Sequence, residues 1–174
     1  MALFRTLVCG AFLAAVPVAS VAHADDASFF RDVEGRWVGP GEIVAGKYKG
    51  TRFNCDLTGV SAGRAAGVDL EGTCRVGVFS QSMKASVRQS GKNYRGQFLD
   101  GAKGKGLDIT SGNVDGGRVV LALIRDQLRG AMLARVSQKN NMNVTISVDV
   151  QNTMVPVIAM NLKRVDGKST ASTD

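Results

Sequence analysis

The sequence predicts an all-β protein, an up-and-down antiparallel barrel of about eight to ten strands. Three observations carry this. Short segments alternate apolar and polar side chains with period 2, as half-buried strands do. Turn-forming clusters separate them: Gly39-Pro40-Gly41, Ser61-Ala62-Gly63, Ser90-Gly91-Lys92-Asn93, Asp115-Gly116-Gly117 and Gln138-Lys139-Asn140-Asn141. Every connection is short, so each strand pairs with its sequence neighbour and closure removes the two exposed edges. A β-sandwich is the alternative with the same strand content. An outer-membrane barrel needs an apolar outer face, whereas the alternate face here is polar, and the chain ends Ser172-Thr173-Asp174 without an aromatic residue.

The N-terminus reads as a secretory signal peptide. Arg5 supplies the positive region, residues 7–21 are apolar, and Ala22-His23-Ala24 is an A-x-A cleavage site followed by Asp25-Asp26. Residues 1–24 are expected to be removed, which places the protein in the periplasm or outside the cell. Residues 25–166 then form a single domain and 167–174 a polar tail. His23 is the only histidine among 174 residues. The mature chain therefore has no imidazole for acid–base catalysis, a catalytic triad, or zinc or haem ligation.

After the cleavage site, Ala27 to Val33 suits a short helical turn capped by Asp26. Strands are expected near 36–45, 48–60, 66–78, 81–89, 93–100, 104–113, 118–125, 128–137, 142–150 and 154–165. In the second and third, Phe53, Cys55 and Leu57 share one face, as do Val68, Leu70, Gly72, Cys74, Val76 and Val78. A turn near Gly63-Arg64 brings Cys55 opposite Cys74. Cys9 leaves with the leader, and an even pair in an exported chain implies a disulfide facing the interior. The following strands place Met83, Ala85 and Val87 on one face, then Tyr94, Gly96 and Phe98.

Residues 119–136 read two ways. Leu121, Ile124, Leu128 and Ala131 have helical spacing, but the segment also fits a hairpin turning at Arg125-Asp126-Gln127. Gly130 costs a helix about 1 kcal/mol, and the hairpin agrees with the flanking strands. The clearest strand is 142–150, with Met142, Val144, Ile146, Val148 and Val150 on one face. The last segment is expected to align Met154, Ile158, Met160 and Leu162.

Motifs with catalytic associations lack their context. Gly59-Val60-Ser61-Ala62-Gly63 matches G-x-S-x-G, yet a nucleophile elbow needs a strand–turn–helix setting and a histidine base. Gly167-Lys168-Ser169-Thr170 lacks the earlier glycine of a phosphate loop, since position 162 is Leu162. The stretch from Asp100 to Gly106 carries Lys103 and Lys105 and is capable of holding an anion, although a solvated hairpin loop accounts for it. Asp69 and Glu71 share a face and are expected to pair with nearby Arg64 or Arg75. No metal-ligand spacing or cofactor motif occurs, so neither a metal nor a cofactor is expected.

Gly35-Arg36-Trp37 opens the first strand and Lys163-Arg164 ends the last. This resembles the calycin pattern of lipocalins and fatty-acid-binding proteins. There a G-x-W element begins the first strand, and a basic residue from the last packs over the tryptophan to close the barrel. The resemblance implies that role for Gly35, Trp37 and Arg164, with the guanidinium over the indole as a cation–π contact. The longer run to Gly41 is also similar to nitrobindin-like haem barrels, but no histidine remains to hold iron.

The inner faces are rich in small and aliphatic residues and poor in large aromatics. Met83, Met132, Met142, Met154 and Met160 would line a partly hollow interior with adaptable side chains. The expected function is an exported, non-catalytic protein that binds a small hydrophobic molecule or lipid. The alternative is an envelope structural or interaction module that binds a protein or anionic polymer through its basic surface. The formal net charge is +7, of which Arg5 lies in the leader. Nucleic acid is not an expected partner in this compartment, and no apolar run beyond the leader is long enough for a transmembrane helix.

Overall fold

The computed structural model describes residues 22–63, 65–99 and 106–165. Residues 1–21, which hold most of the expected signal peptide, Arg64, residues 100–105 with Lys103 and Lys105, and residues 166–174 lie outside the described residues. One helix, α1 (Ala22–Val33), precedes ten strands: β1 (Gly35–Ile43), β2 (Arg52–Ser61), β3 (Gly67–Val76), β4 (Phe79–Ser90), β5 (Asn93–Leu99), β6 (Leu107–Asp115), β7 (Arg118–Arg125), β8 (Leu128–Ser137), β9 (Asn141–Val150) and β10 (Thr153–Arg164). Each pairs antiparallel with its sequence neighbour, and β10 returns to β1, so the sheet is a closed barrel.

Period-2 patterning built this architecture. Along β9, Met142, Val144 and Ile146 are buried while Asn143 is exposed. The ambiguous segment 119–136 is the β7–β8 hairpin, with Leu121 opposite Met132 and Leu123 opposite Gly130. Ion pairs lie on the outer wall: Arg36–Asp56 at 2.6 Å, Lys84–Glu71 at 3.4 Å, and Arg88–Asp69. A charged exterior around an apolar interior is the inverse of an outer-membrane barrel. Among the described residues, no helix is long and apolar enough to cross a membrane.

The ends of the barrel differ. The β2–β3, β4–β5, β6–β7 and β8–β9 connections surround α1, which packs against β2, β3, β6 and β8 and closes that end. Phe29, Phe30 and Val33 point from the helix into the barrel and are buried. Gly59 permits this approach, since a Cβ there would lie 2.4 Å from the Val33 carbonyl oxygen. The first glycine of the G-x-S-x-G match is therefore a packing glycine. Among the described residues, the β1–β2, β3–β4, β7–β8 and β9–β10 connections form the opposite, open end, the mouth.

Five local expectations need correction. Val78, expected on the inner face of the third strand, lies in the β3–β4 turn and faces solvent, because β3 ends at Val76. The helix extends N-terminally through Ala22, and Asp26 lies within it rather than capping it. Alanines 22 and 24 favour continuation, and the Asp26 carboxylate instead accepts the hydroxyl of buried Tyr94 at 2.7 Å. Residues 44–51 form a turn, so β1 and β2 are shorter than expected; Gly50 N–H closes it on the Ile43 carbonyl at 2.8 Å. Asp69 and Glu71 pair with Arg88 and Lys84 on adjacent β4, because cross-strand neighbours are nearer than residues on the same strand. Finally, β10 changes register between Pro156 and Ile158. The bulge reverses which residues face inward, so Met154 points outward while Ile158, Met160 and Leu162 keep the inner face.

Candidate functional site

The closed end is organised by Trp37 and Arg164, a cross-strand pair on β1 and β10. Trp37 is fully buried, and its indole N–H donates to the Val33 carbonyl at 2.8 Å. The Arg164 guanidinium lies 4.4 Å from the indole ring centre. Its nitrogens donate to the carbonyls of Asp32 (2.6 Å), Glu34 and Lys139 (2.8 Å). These acceptors are at the C-terminal end of α1 and in the β8–β9 turn. One side chain therefore satisfies helix-end carbonyls, opposes the negative end of the helix dipole and ties three elements together. Gly35, at the head of β1, pairs with Gly59 of β2.

Above this plug the interior is hollow in two parts. A lower chamber of about 80 Å³ lies against Phe29, Phe30 and Val33, with Met132 and Met142 in its wall. An upper chamber of about 320 Å³ leads toward the mouth, between Phe53, Leu123, Ile146 and Ile158. Cys74, Met83, Phe98 and Met160 line both and form the waist between them. An apolar void of ~150 Å³ is enough to hold benzene. The upper chamber exceeds that size and the lower falls short of it.

The Cys55–Cys74 disulfide joins opposed residues of β2 and β3 and contributes its Cys74 end to the waist. Gly72, two residues earlier, packs against backbone: a Cβ there would lie 2.0 Å from the Asp56 carbonyl oxygen. The few polar groups lining the upper chamber are Gln81, Ser147 and Arg125. Arg125 is the last residue of β7, and its parity with Leu121 and Leu123 turns it toward the chamber. The expected strand 118–125 includes it, although the expected turn also named it. The structure gives that turn to Asp126, whose φ is 53°, and Gln127.

The methionine expectation thus divides. Met83, Met132, Met142 and Met160 line the hollow interior, whereas Met154 is 47 % exposed and outside it. Large aromatics are also more prominent than expected. Phe29 and Phe30 enter from the helix, and Phe53 and Phe98 from the strands. The spacing of Ala27, Phe30 and Val33 was the available signal for the helical contribution.

The outer ion pairs affect protonation as their geometry dictates. The hydrogen bond from Arg36 holds the Asp56 carboxyl below its ordinary range, and that from Arg88 does the same for Asp69. Burial, reinforced by the hydrogen bond to Asp26, raises the Tyr94 phenol far above its ordinary value. Ser61 ends β2 at the closed end, and its hydroxyl donates to Glu34 at 2.7 Å. That is a serine–carboxylate contact without an intervening imidazole. Among the described residues, no group of three His, Cys, Asp or Glu side chains converges to hold a metal ion.

No family model matches the chain, and no curated protein matches it. Among solved structures, that of Rv2717c from M. tuberculosis is similar, with a TM-score of 0.58 and 11 % sequence identity over 80 % of this chain and 97 % of that chain. At that identity the likeness shows a shared fold alone.

Proposed function

We propose that this is an exported, non-catalytic carrier that holds one small hydrophobic molecule in the upper chamber of a calycin-like barrel. The observation carrying the proposal is that apolar chamber of about 320 Å³, continuous with the mouth and bordered by few polar groups. Binding sites of this kind enclose roughly 300–1,000 Å³ and use sparse polar groups to orient an apolar ligand. Water in such a chamber lacks the two to four polar partners that stabilise buried water. The methionine waist supplies side chains that adapt to an irregular ligand. Trp37 beneath Arg164 supports the calycin-like reading, and the signal sequence supports a periplasmic or secreted location.

Native mass spectrometry of protein prepared without detergent tests the proposal. Extra mass that leaves on denaturation identifies the ligand class. As a second arm, Met160→Trp fills the waist and is expected to abolish uptake of a small apolar fluorescent probe. Gly72→Trp is unsuitable because its side chain would strike the β2 backbone. A folded Met160→Trp protein that binds the probe as wild type does would refute the chamber as the site.

A further inference from the structure

We propose that the mouth of the barrel docks on an anionic lipid bilayer. Among the described residues, eight of the eleven exposed large apolar side chains stand at this end, so the distribution is polarised. The most exposed are Val78 at 93 %, Phe79 at 77 % and Tyr48 at 62 %. Leu128, Val150 and Met154 extend the ring. Together they come from the β1–β2, β3–β4, β7–β8 and β9–β10 connections and surround the opening. Grouped exposed apolar side chains mark an interaction surface, whereas scattered ones need no explanation.

The β3–β4 tip shows that turn formation does not require this arrangement. Gly77, with φ 56°, makes the two-residue reversal. The neighbouring turn position accepts small polar residues, yet it carries Val78 with its side chain in water. Phe79 follows immediately. The hairpins around the closed end instead carry Gly91-Lys92, Gly116-Gly117 and Gln138-Lys139-Asn140.

Charge selects the partner. Lys47, Lys49, Arg75 and Arg129 are exposed among the apolar tips, and Arg125 lies just inside the opening. The carboxylates at the same end are Glu42, which pairs with Arg52 at 3.6 Å, Asp126 and Asp149. Apolar side chains that enter a headgroup layer while cations meet lipid phosphates are the two components of interfacial binding. Long basic side chains also bury their methylenes while keeping their charge at that level. The docked face surrounds the entrance to the upper chamber. Docking itself does not require that chamber to hold a ligand.

Co-sedimentation with vesicles tests this inference. The chain is used as recovered from its producing cells, with its N-terminus assigned by intact mass so that a retained apolar leader is not mistaken for the mouth. Wild type is expected to bind vesicles containing phosphatidylglycerol at least about tenfold more tightly than pure phosphatidylcholine, and to release as salt rises from ~0.05 to ~0.5 M. The double substitution Val78→Asp/Phe79→Asp is expected to weaken binding by about tenfold or more with an unchanged melting temperature, because both positions face solvent. Met160→Trp is expected to bind vesicles as wild type does, even if probe uptake fails. Failure of wild type to bind, equal binding to both lipids, or wild-type binding by the double variant would overturn the proposal. So would a dimer in analytical ultracentrifugation that the double substitution dissociates, because the apolar tips would then cover a second copy.

Discussion

Replacing Arg164 by alanine perturbs the closed end at one side chain and leaves the chamber walls intact. The guanidinium contributes a ring contact at 4.4 Å and hydrogen bonds to the carbonyls of Asp32, Glu34 and Lys139. A cation–π contact contributes ~1 kcal/mol at a partly exposed site, and a charged hydrogen bond about 1.5 kcal/mol or more. These terms are not additive, and water admitted by the truncation solvates the released carbonyls. A net loss of about 3 kcal/mol follows. For a domain of this size, each kcal/mol lowers Tm by roughly 2–4 °C, so Arg164→Ala should melt about 10 °C below wild type. Arg164→Lys should recover a minor part of the loss. It keeps a charge near the helix C-terminus, but a single ammonium cannot reproduce the planar array of donors. Circular dichroism melting measures both variants. If Arg164→Ala melted within about 1 °C of wild type, or Arg164→Lys fully restored stability, this account of the closed end would be wrong.

Reduction of Cys55–Cys74, separated by 19 residues, should cost about 3 kcal/mol through restored loop entropy. An unchanged melt under reducing conditions would contradict that role. Tyr94 should make stability sensitive to alkali. Its folded pKa is raised, first by burial and then by Asp26, so its contribution is complete below the unfolded value of ~10 and is lost as pH climbs toward the folded value. Tyr94→Phe should flatten that alkaline limb, and a limb unchanged in the variant would assign it to another group. In acid, Asp56 and Asp69 have depressed folded pKa values, so their contribution is present above the unfolded value of ~3.9 and fades as pH falls through the folded values. Their exposure keeps the effect small, and Asp56→Asn should reduce the acid-dependent loss without moving the melt at neutral pH by more than about 1 kcal/mol equivalent. Met154→Trp should leave probe uptake unchanged, in contrast to Met160→Trp, because the two methionines lie on opposite sides of the barrel wall.

Local pattern made much of the barrel legible. The alternations at 83–87, 94–98 and 142–146 agree with the inner and outer faces seen. Equal distances from one turn put Cys55 opposite Cys74. The calycin resemblance implied that Trp37 and Arg164 meet, and closure of the meander makes their strands neighbours. Met154 was misplaced because a β-bulge reverses parity without altering composition. The inward direction of Arg125 was not read from the sequence because it depends on β7 continuing to its last residue before the Asp126-Gln127 turn. The apolar mouth was overlooked because its residues are dispersed through the sequence at Tyr48, Val78, Phe79, Leu128, Val150 and Met154. They become a ring only when alternate connections meet at one end.

The sequence by itself determined the strand content, the turns and the facing cysteines, because these depend on period-2 patterning and short-range chain reversal. Only the tertiary structure decided that Phe29 and Phe30 plug one end, that Asp26 meets Tyr94, and that four methionines line the interior while the fifth faces water. Those outcomes depend on barrel closure, helix docking and a register shift. They bring together residues far apart in the chain, whose mutual distances no local pattern encodes.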